Sequence, residues 1–339
     1  MTHDQIDNSP LATAYGMTSL FVDTSESQKL LMTLWAAHTH IYRDFVASPR
    51  LSFVADGPGT GKSVAMSVAL SMSNEPLAIG YASQASVYSW LEEHPNTTLG
   101  LDEIDKVFGV MGRKTSRAVL AAVVNDGYSA SGKVMVMRGG RPVLMPIYSP
   151  VATAGIGQLP EDTRTRALEI RLTRGAPSEM FVPELHSQMM SDVGTELWRY
   201  LRTREVRKAL SVAPNVADGV EGSPRLRLVL APLAAIADAA GLGELFRASV
   251  REWQSGESDI PVRPTHEILA ADVAALLSDA PLTAGQLAEV LSDTSETWSS
   301  LPPGRVGADY VASLLRQAGI NPIRSGSRYG YTSDSVNSE

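Results

Sequence analysis

Short apolar runs alternate with amphipathic stretches along this chain. Residues 1 to about 22 are polar and without period, which predicts a flexible leader. From Ser25 onward Leu31, Leu34, Trp35, Ile41, Tyr42 and Phe45 keep helical spacing, and Ser25 and Gln28 fit a capping box. His38 and His40 lie two apart on that helix, so they cannot face one ligand together and read as packing or surface residues. The run 51–55 reads as a buried strand and 64–70 as a helix. Strands are then predicted at 76–82, 97–101, 151–154 and 167–172, with helices at 84–92 and 115–125 between them. Such alternation predicts an α/β core with a parallel sheet covered by helices on both faces. Ligands in such sheets bind beyond the carboxyl ends of the strands.

Between these elements, 134–137 and 142–145 flank Arg138-Gly139-Gly140-Arg141. Two glycines supply the positive φ angles of a two-residue turn, so a hairpin is expected with arginines at its tip and Lys133 at its base. From about 178 to 253 the pattern is helical, with candidates at 182–190, 193–201, 228–240 and 244–253. Residues 255–264 read as a linker. Helices at 268–277, 284–291 and 308–318 follow, and then an alternating stretch at 321–331 with a Gly-Ser turn, the outline of a winged helix. The expected organisation is a leader (1–22), an α/β core (23–176), a helical lid (177–256) and a C-terminal winged-helix-like domain (257–339).

Composition narrows the classes. At 339 residues, 44% hydrophobic and 19% charged, the chain reads as an ordinary soluble protein of two or three domains. With no cysteine, disulfides and thiolate-held metals are excluded. No apolar run approaches the roughly 20 residues a membrane helix needs, and no charged-then-apolar leader opens the chain, so the expectation is a cytoplasmic protein without a membrane partner. A net charge of −8 confines any DNA contact to a pore or one patch.

The chemistry concentrates at Gly57-Pro58-Gly59-Thr60-Gly61-Lys62-Ser63-Val64. A strand, a glycine-rich turn and Lys-Ser at a helix start form a phosphate-binding loop, in which backbone N–H groups and the helix dipole cradle anions. Lys62 is then assigned to the β/γ-phosphates of ATP and the Ser63 hydroxyl to Mg²⁺. The usual spacing would put a glycine at position 56, where this chain has Asp56. Two alternatives follow, a loop re-formed around Gly57 or a strained Asp56, and an acid there is unfavourable unless it points away from the triphosphate. Downstream, the strand 97–101 ends in Asp102-Glu103, which supplies a carboxylate for the Mg²⁺ shell (Asp102) and one to polarise the attacking water (Glu103).

Arginines complete the expected site. Arg164 and Arg166, after the strand that carries Thr153, are candidate arginine fingers for a neighbouring subunit. Arg225, and Arg227 beside it, are candidates for a second sensor reaching the nucleotide from the lid, and Thr153 stands where a polar sensor is expected. Lys133, Arg138 and Arg141 on the hairpin, and Arg316, Arg324 and Arg328 near the C-terminus, are the candidate DNA contacts; Arg305 belongs to the same basic stretch.

These motifs resemble the AAA+ superfamily in Gly-Pro-Gly-Thr-Gly-Lys-Ser, Leu-Gly-Leu-Asp-Glu and Leu-Pro-Glu-Asp-Thr-Arg-Thr-Arg at 159–166. The segments 34–40, 101–109 and 154–160, and the ending 314–324 with Gly330-Tyr331, are similar to an ATPase family of actinobacterial phages, prophages and plasmids, often attached to primase-type replication proteins. The resemblance covers roughly 28 to 332. It implies an AAA+ fold, ATP hydrolysis with Mg²⁺ and a homo-oligomeric, hexameric ring working on DNA in mobile-element replication. Three functions stay open: a helicase or translocase motor, a loader or remodelling ATPase that recruits a replication partner, and a nucleotide-gated switch with little turnover.

Overall fold

The computed structural model describes residues 9–55, 57–79, 84–104, 115–157, 159–256, 265–295, 298, 306–325 and 328–337. It is an α/β protein with a five-stranded, wholly parallel sheet and, among the described residues, 14 helices. The sheet comprises β1 (Arg50–Ala55), β2 (Pro76–Ile79), β3 (Thr98–Leu101), β6 (Val151–Ile156) and β7 (Ala167–Arg171), in the spatial order β2-β3-β6-β1-β7. β4 (Lys133–Arg138) and β5 (Arg141–Pro146) form the expected hairpin, with Gly139 and Gly140 at φ +57° and +75°.

Period-two alternation sends successive strand residues to opposite faces. Leu51, Phe53, Ala152, Ala154, Leu168 and Ile170 face one core, shared with α3 (Lys62–Ser71). Leu99, Leu101, Val151 and Ala167 face a second, with α4 (Gln84–Glu93), α5 (Thr115–Asp126) and the hairpin. The first core is the larger because helices that precede and follow the sheet segments in sequence join it: α1 (Pro10–Phe21), α2 (Glu26–His38), α7 (Pro183–Leu201), α8 (Arg204–Leu210), α9 (Pro224–Ala239) and α10 (Gly243–Ser255). The expected division at 176/177 is therefore no break in the core, because 183–255 pack into the α/β body. The expected leader is also corrected: residues 10–21 are a helix, N-capped by Ser9 with Pro10 in its first turn, and its Leu11, Ala14, Tyr15 and Phe21 are buried. The helices expected at 182–190 and 193–201 are the single helix α7.

Arg50 opens β1 fully buried, donating from Nε to Val124 O, Nη2 to Val123 O and Nη1 to Ser149 O at 2.7–3.0 Å. Two of those carbonyls belong to the last turn of α5, the negative end of its dipole, which suits a cation. Burial pushes this guanidinium down to about 9, so it keeps its charge at neutral pH. His38, also fully buried, bonds Trp35 O and Ser48 Oγ, and desolvation pushes it down to about 3. Both histidines of α2 and its following turn are packing residues: His40 Nε2 donates to Met72 O.

A C-terminal unit has its own core: α11 (Thr265–Ala274), α12 (Ala284–Thr294), α13 (Ala308–Gln317) and an antiparallel pair, β8 (Ile323–Ser325) with β9 (Arg328–Gly330). α12 starts with a full Thr283/Gln286 capping box. A bridge between Leu282 and Tyr331 extends the hairpin, and a short helix, α14 (Ser333–Asn337), ends the described chain. This unit is fastened at the end of β6, where Thr265 Oγ1 donates to Ile156 O at 3.0 Å and Ile156 joins its core. The linker expected at 255–264 falls largely outside the described residues. No helix among the described residues is long and apolar enough to cross a membrane.

Candidate active site

The phosphate loop leaves the carboxyl end of β1 and feeds α3, as the strand–turn–helix pattern requires. Gly59 and Gly61 take φ +70° and +82°, conformations that glycine adopts without a Cβ penalty. Gly61 is the N-cap of α3, so the N–H groups of Lys62, Ser63 and Val64 lie in the helix's first turn, where no intrahelical partner exists. Lys62 is almost wholly buried and its Nζ folds back on the loop, donating to Gly57 O at 2.5 Å and Thr60 Oγ1 at 3.1 Å. Ser63 is exposed at the same helix start. Asp56 lies outside the described residues.

Sheet order brings the second half of the site alongside. β6 lies between β1 and β3, so Asp102-Glu103, just past β3, stand two strand spacings from the loop, about 9–10 Å. That gap suits a terminal phosphate with its metal and an attacking water. Asp102 Oδ1 accepts the Glu103 N–H at 2.8 Å. Glu103 has φ +58°, one of only two non-glycine residues at positive φ among those described. A non-glycine residue held there costs of order 1–2 kcal/mol, and such strain collects at functional sites.

The donor set fits ATP with Mg²⁺: a glycine cradle, a buried amine, an exposed serine hydroxyl at the helix start, and a carboxylate across the gap. Among the described residues no group of three or more His, Cys, Asp or Glu is placed to hold a metal ion.

Two expected members do not join this edge. Thr153 is fully buried in mid-strand, its Oγ1 donating to Ser52 Oγ at 3.0 Å across the face toward α5. Alternation turns it into the sheet, and the strand continues to Ile156 before reaching the mouth. Arg225 hydrogen-bonds Thr165 Oγ1 at 3.2 Å, just before β7 begins, which is the amino edge of the sheet. The length of β1, about 20 Å, separates it from the loop, so it is not a sensor for its own nucleotide. Arg227 bonds Ala217 O and Asp218 instead.

Arg164, the last residue of the one-turn helix α6 (Glu161–Arg164), and Arg166 share that amino edge. Arg166 is mostly buried, lying over the Tyr128 ring and bonded to Asp162 O, whereas Arg164 is exposed. The cation beside the phosphate loop is one that the pattern did not single out. Arg174, after β7, puts its guanidinium nitrogens 3.9–4.0 Å from where a Cβ on Gly59 would sit. Its sequence signal is slight: an arginine just past the edge strand that neighbours β1.

Of the candidate DNA contacts, Lys133 and Arg141 are exposed on the hairpin. Arg138 turns away from the tip onto α4, pairing with Glu92 at 2.8 Å and Ser89 at 3.2 Å. Arg316 and Arg324 are exposed in the C-terminal unit, and Arg328 opens β9. Arg305 lies outside the described residues. No family model and no curated protein matches the chain.

Proposed function

We propose that this chain is an AAA+-type P-loop ATPase that hydrolyses ATP to act on DNA in the replication of a mobile element. The observation that carries the reading is the shared carboxyl edge: phosphate loop and Asp102-Glu103 flank β6, with Glu103 in a strained conformation. The loop N–H groups, Lys62 and Arg174 would bind the phosphates and balance charge on the γ-phosphoryl group. Ser63 and Asp102 would hold Mg²⁺, which neutralises charge on the phosphates. Glu103 would take the proton from the water that attacks γ-phosphorus as the bond to ADP breaks. In this reading 265–331 is a winged-helix-like unit, supported by its three helices and hairpin.

The test is ATP turnover by the purified chain with and without single-stranded DNA, beside Lys62→Ala, Glu103→Gln and Arg174→Ala. Loss of a general base should lower turnover about 10²–10⁴-fold while nucleotide binding survives. Lys62→Ala should lose both, and Arg174→Ala should weaken ATP binding about tenfold or more. Wild-type turnover by Glu103→Gln would sink the proposal.

A second reading, a loader or remodelling ATPase, is favoured by the hairpin itself. Met135, Met137 and Leu144 are exposed on one of its faces, while Arg138 is engaged by Glu92. Such an apolar face suits a protein partner better than a DNA backbone. Turnover indifferent to DNA, with a replication protein co-purifying, would select this reading.

A further inference from the structure

At the amino edge of the sheet, a strand length from the phosphate loop, lies a cavity of about 450 Å³. Its walls come from separate places in the chain: Tyr42 and Arg43 of the turn after α2, Asn74 and Glu75 before β2, Trp198 of α7 and Arg202 just past its end. The volume falls in the ordinary range for ligand clefts, roughly 300–1,000 Å³. Trp198 is 39% exposed and Arg202 stacks on it, guanidinium carbon 4.6 Å from the ring centroid. Glu75 has φ +40°, so the two strained non-glycine residues among those described stand one at each edge of the sheet.

The lining carries Arg43, Arg202 and Arg207 against Asp44 and Glu75, and the last two arginines belong to a basic run of the chain. Arg199, Arg202, Arg204, Arg207 and Lys208 oppose one acid, Glu205, over ten residues of a chain carrying −8. All five cations are exposed. Adding Arg43, Asp44 and Glu75 of the lining and Glu196, which pairs with Arg199, gives six cations to four carboxylates. Arg207 pairs with Asp44 and Arg199 with Glu196. A cationic track beside a concave wall bearing an aromatic ring and a stacked guanidinium is the chemistry that holds unstacked bases: the ring plane takes a base, and the cations follow the phosphates. An acidic peptide would use the charges but not the stacking wall.

We infer that this cavity and its rim bind single-stranded nucleic acid, one base against Trp198–Arg202 and the backbone along 199–208. The inference deepens the DNA-acting reading above and is independent of ATP chemistry. The experiment is fluorescence anisotropy of labelled oligothymidine with the full chain at several salt concentrations. Trp198→Ala should raise Kd roughly 5- to 150-fold, the range that loss of one base stack gives. Arg202→Ala should weaken binding and reduce the salt slope by about 0.7. Unchanged melting and ATP binding would show that both variants fold.

Four results overturn the assignment. One is an unchanged Kd in both variants. Another is loss of binding only in Arg141→Ala, which would leave the DNA-acting reading standing and move the contact to the hairpin. The third is displacement of the oligonucleotide by oligoglutamate at equal affinity with no effect of Trp198→Ala, the behaviour of a general polyanion surface. ATP turnover without oligonucleotide binding would likewise remove this site while sparing the ATPase reading.

Discussion

At φ +58°, Glu103 forfeits backbone stability that a glycine would recover. Glu103→Gly is therefore expected to raise stability by up to about 1 kcal/mol, the αL penalty less the extra unfolded-state freedom of glycine. It should abolish turnover in the same step. A higher urea midpoint with no hydrolysis would tie the strain to the carboxylate's position, whereas a fall in stability would mean that the conformation is stabilised by contacts of the side chain. Single residues were also where the pattern of apolar and polar positions said least. Arg50 precedes the apolar run 51–55 and nothing local marks it, yet it is fully buried against carbonyls that come more than seventy residues later. Thr153 was legible as polar and near a strand end, but only register shows that its hydroxyl is taken by Ser52.

Elements were far more legible than their partners. β1, β3, β6 and β7 were readable as short apolar runs, and the Gly-Gly hairpin as a turn, because burial on both faces and positive φ leave local marks. α1 was missed because Thr18 sits on its buried face and Thr13, Gly16 and Ser19 scatter small and polar residues between its apolar positions, although Ser9-Pro10 is a readable helix start. Which helices share a core is a long-range matter, so nothing local announced that α7–α10 join α1 and α2. The junction of β6 with α11 is equally silent. There Gly157 has φ +75°, and a Cβ on it would lie 2.2 Å from Thr265 Oγ1 and 2.7 Å from Thr265 N. Gly157→Ala should consequently push α11 off the strand end at a cost of order 1–3 kcal/mol. Hydrogen exchange would report it as faster exchange in 265–274 with α3 unchanged. Equal protection in both proteins would mean that the C-terminal unit is not held through this contact.

On the scale of the whole molecule, the sheet separates two kinds of chemistry by about 20 Å: the proposed phosphate site on the carboxyl edge, exposed cations on the amino edge. Arg164 belongs to the second set and so cannot reach the nucleotide of its own chain. It can serve catalysis only if another copy brings its carboxyl edge against it, which makes the arginine a test of assembly. Loss of a trans arginine costs about 10³–10⁵ in turnover. Arg164→Ala and Lys62→Ala should therefore each be inactive alone, one lacking the donated cation and the other the phosphate amine. Mixed in an oligomer they complement, because some interfaces pair an intact Lys62 with an intact Arg164. Recovered turnover on mixing, at concentrations where the protein sediments as an oligomer, is the expected outcome. Full activity of Arg164→Ala alone, or no recovery in the mixed oligomer, would leave Arg164 a surface residue and remove the strongest reason to expect a ring.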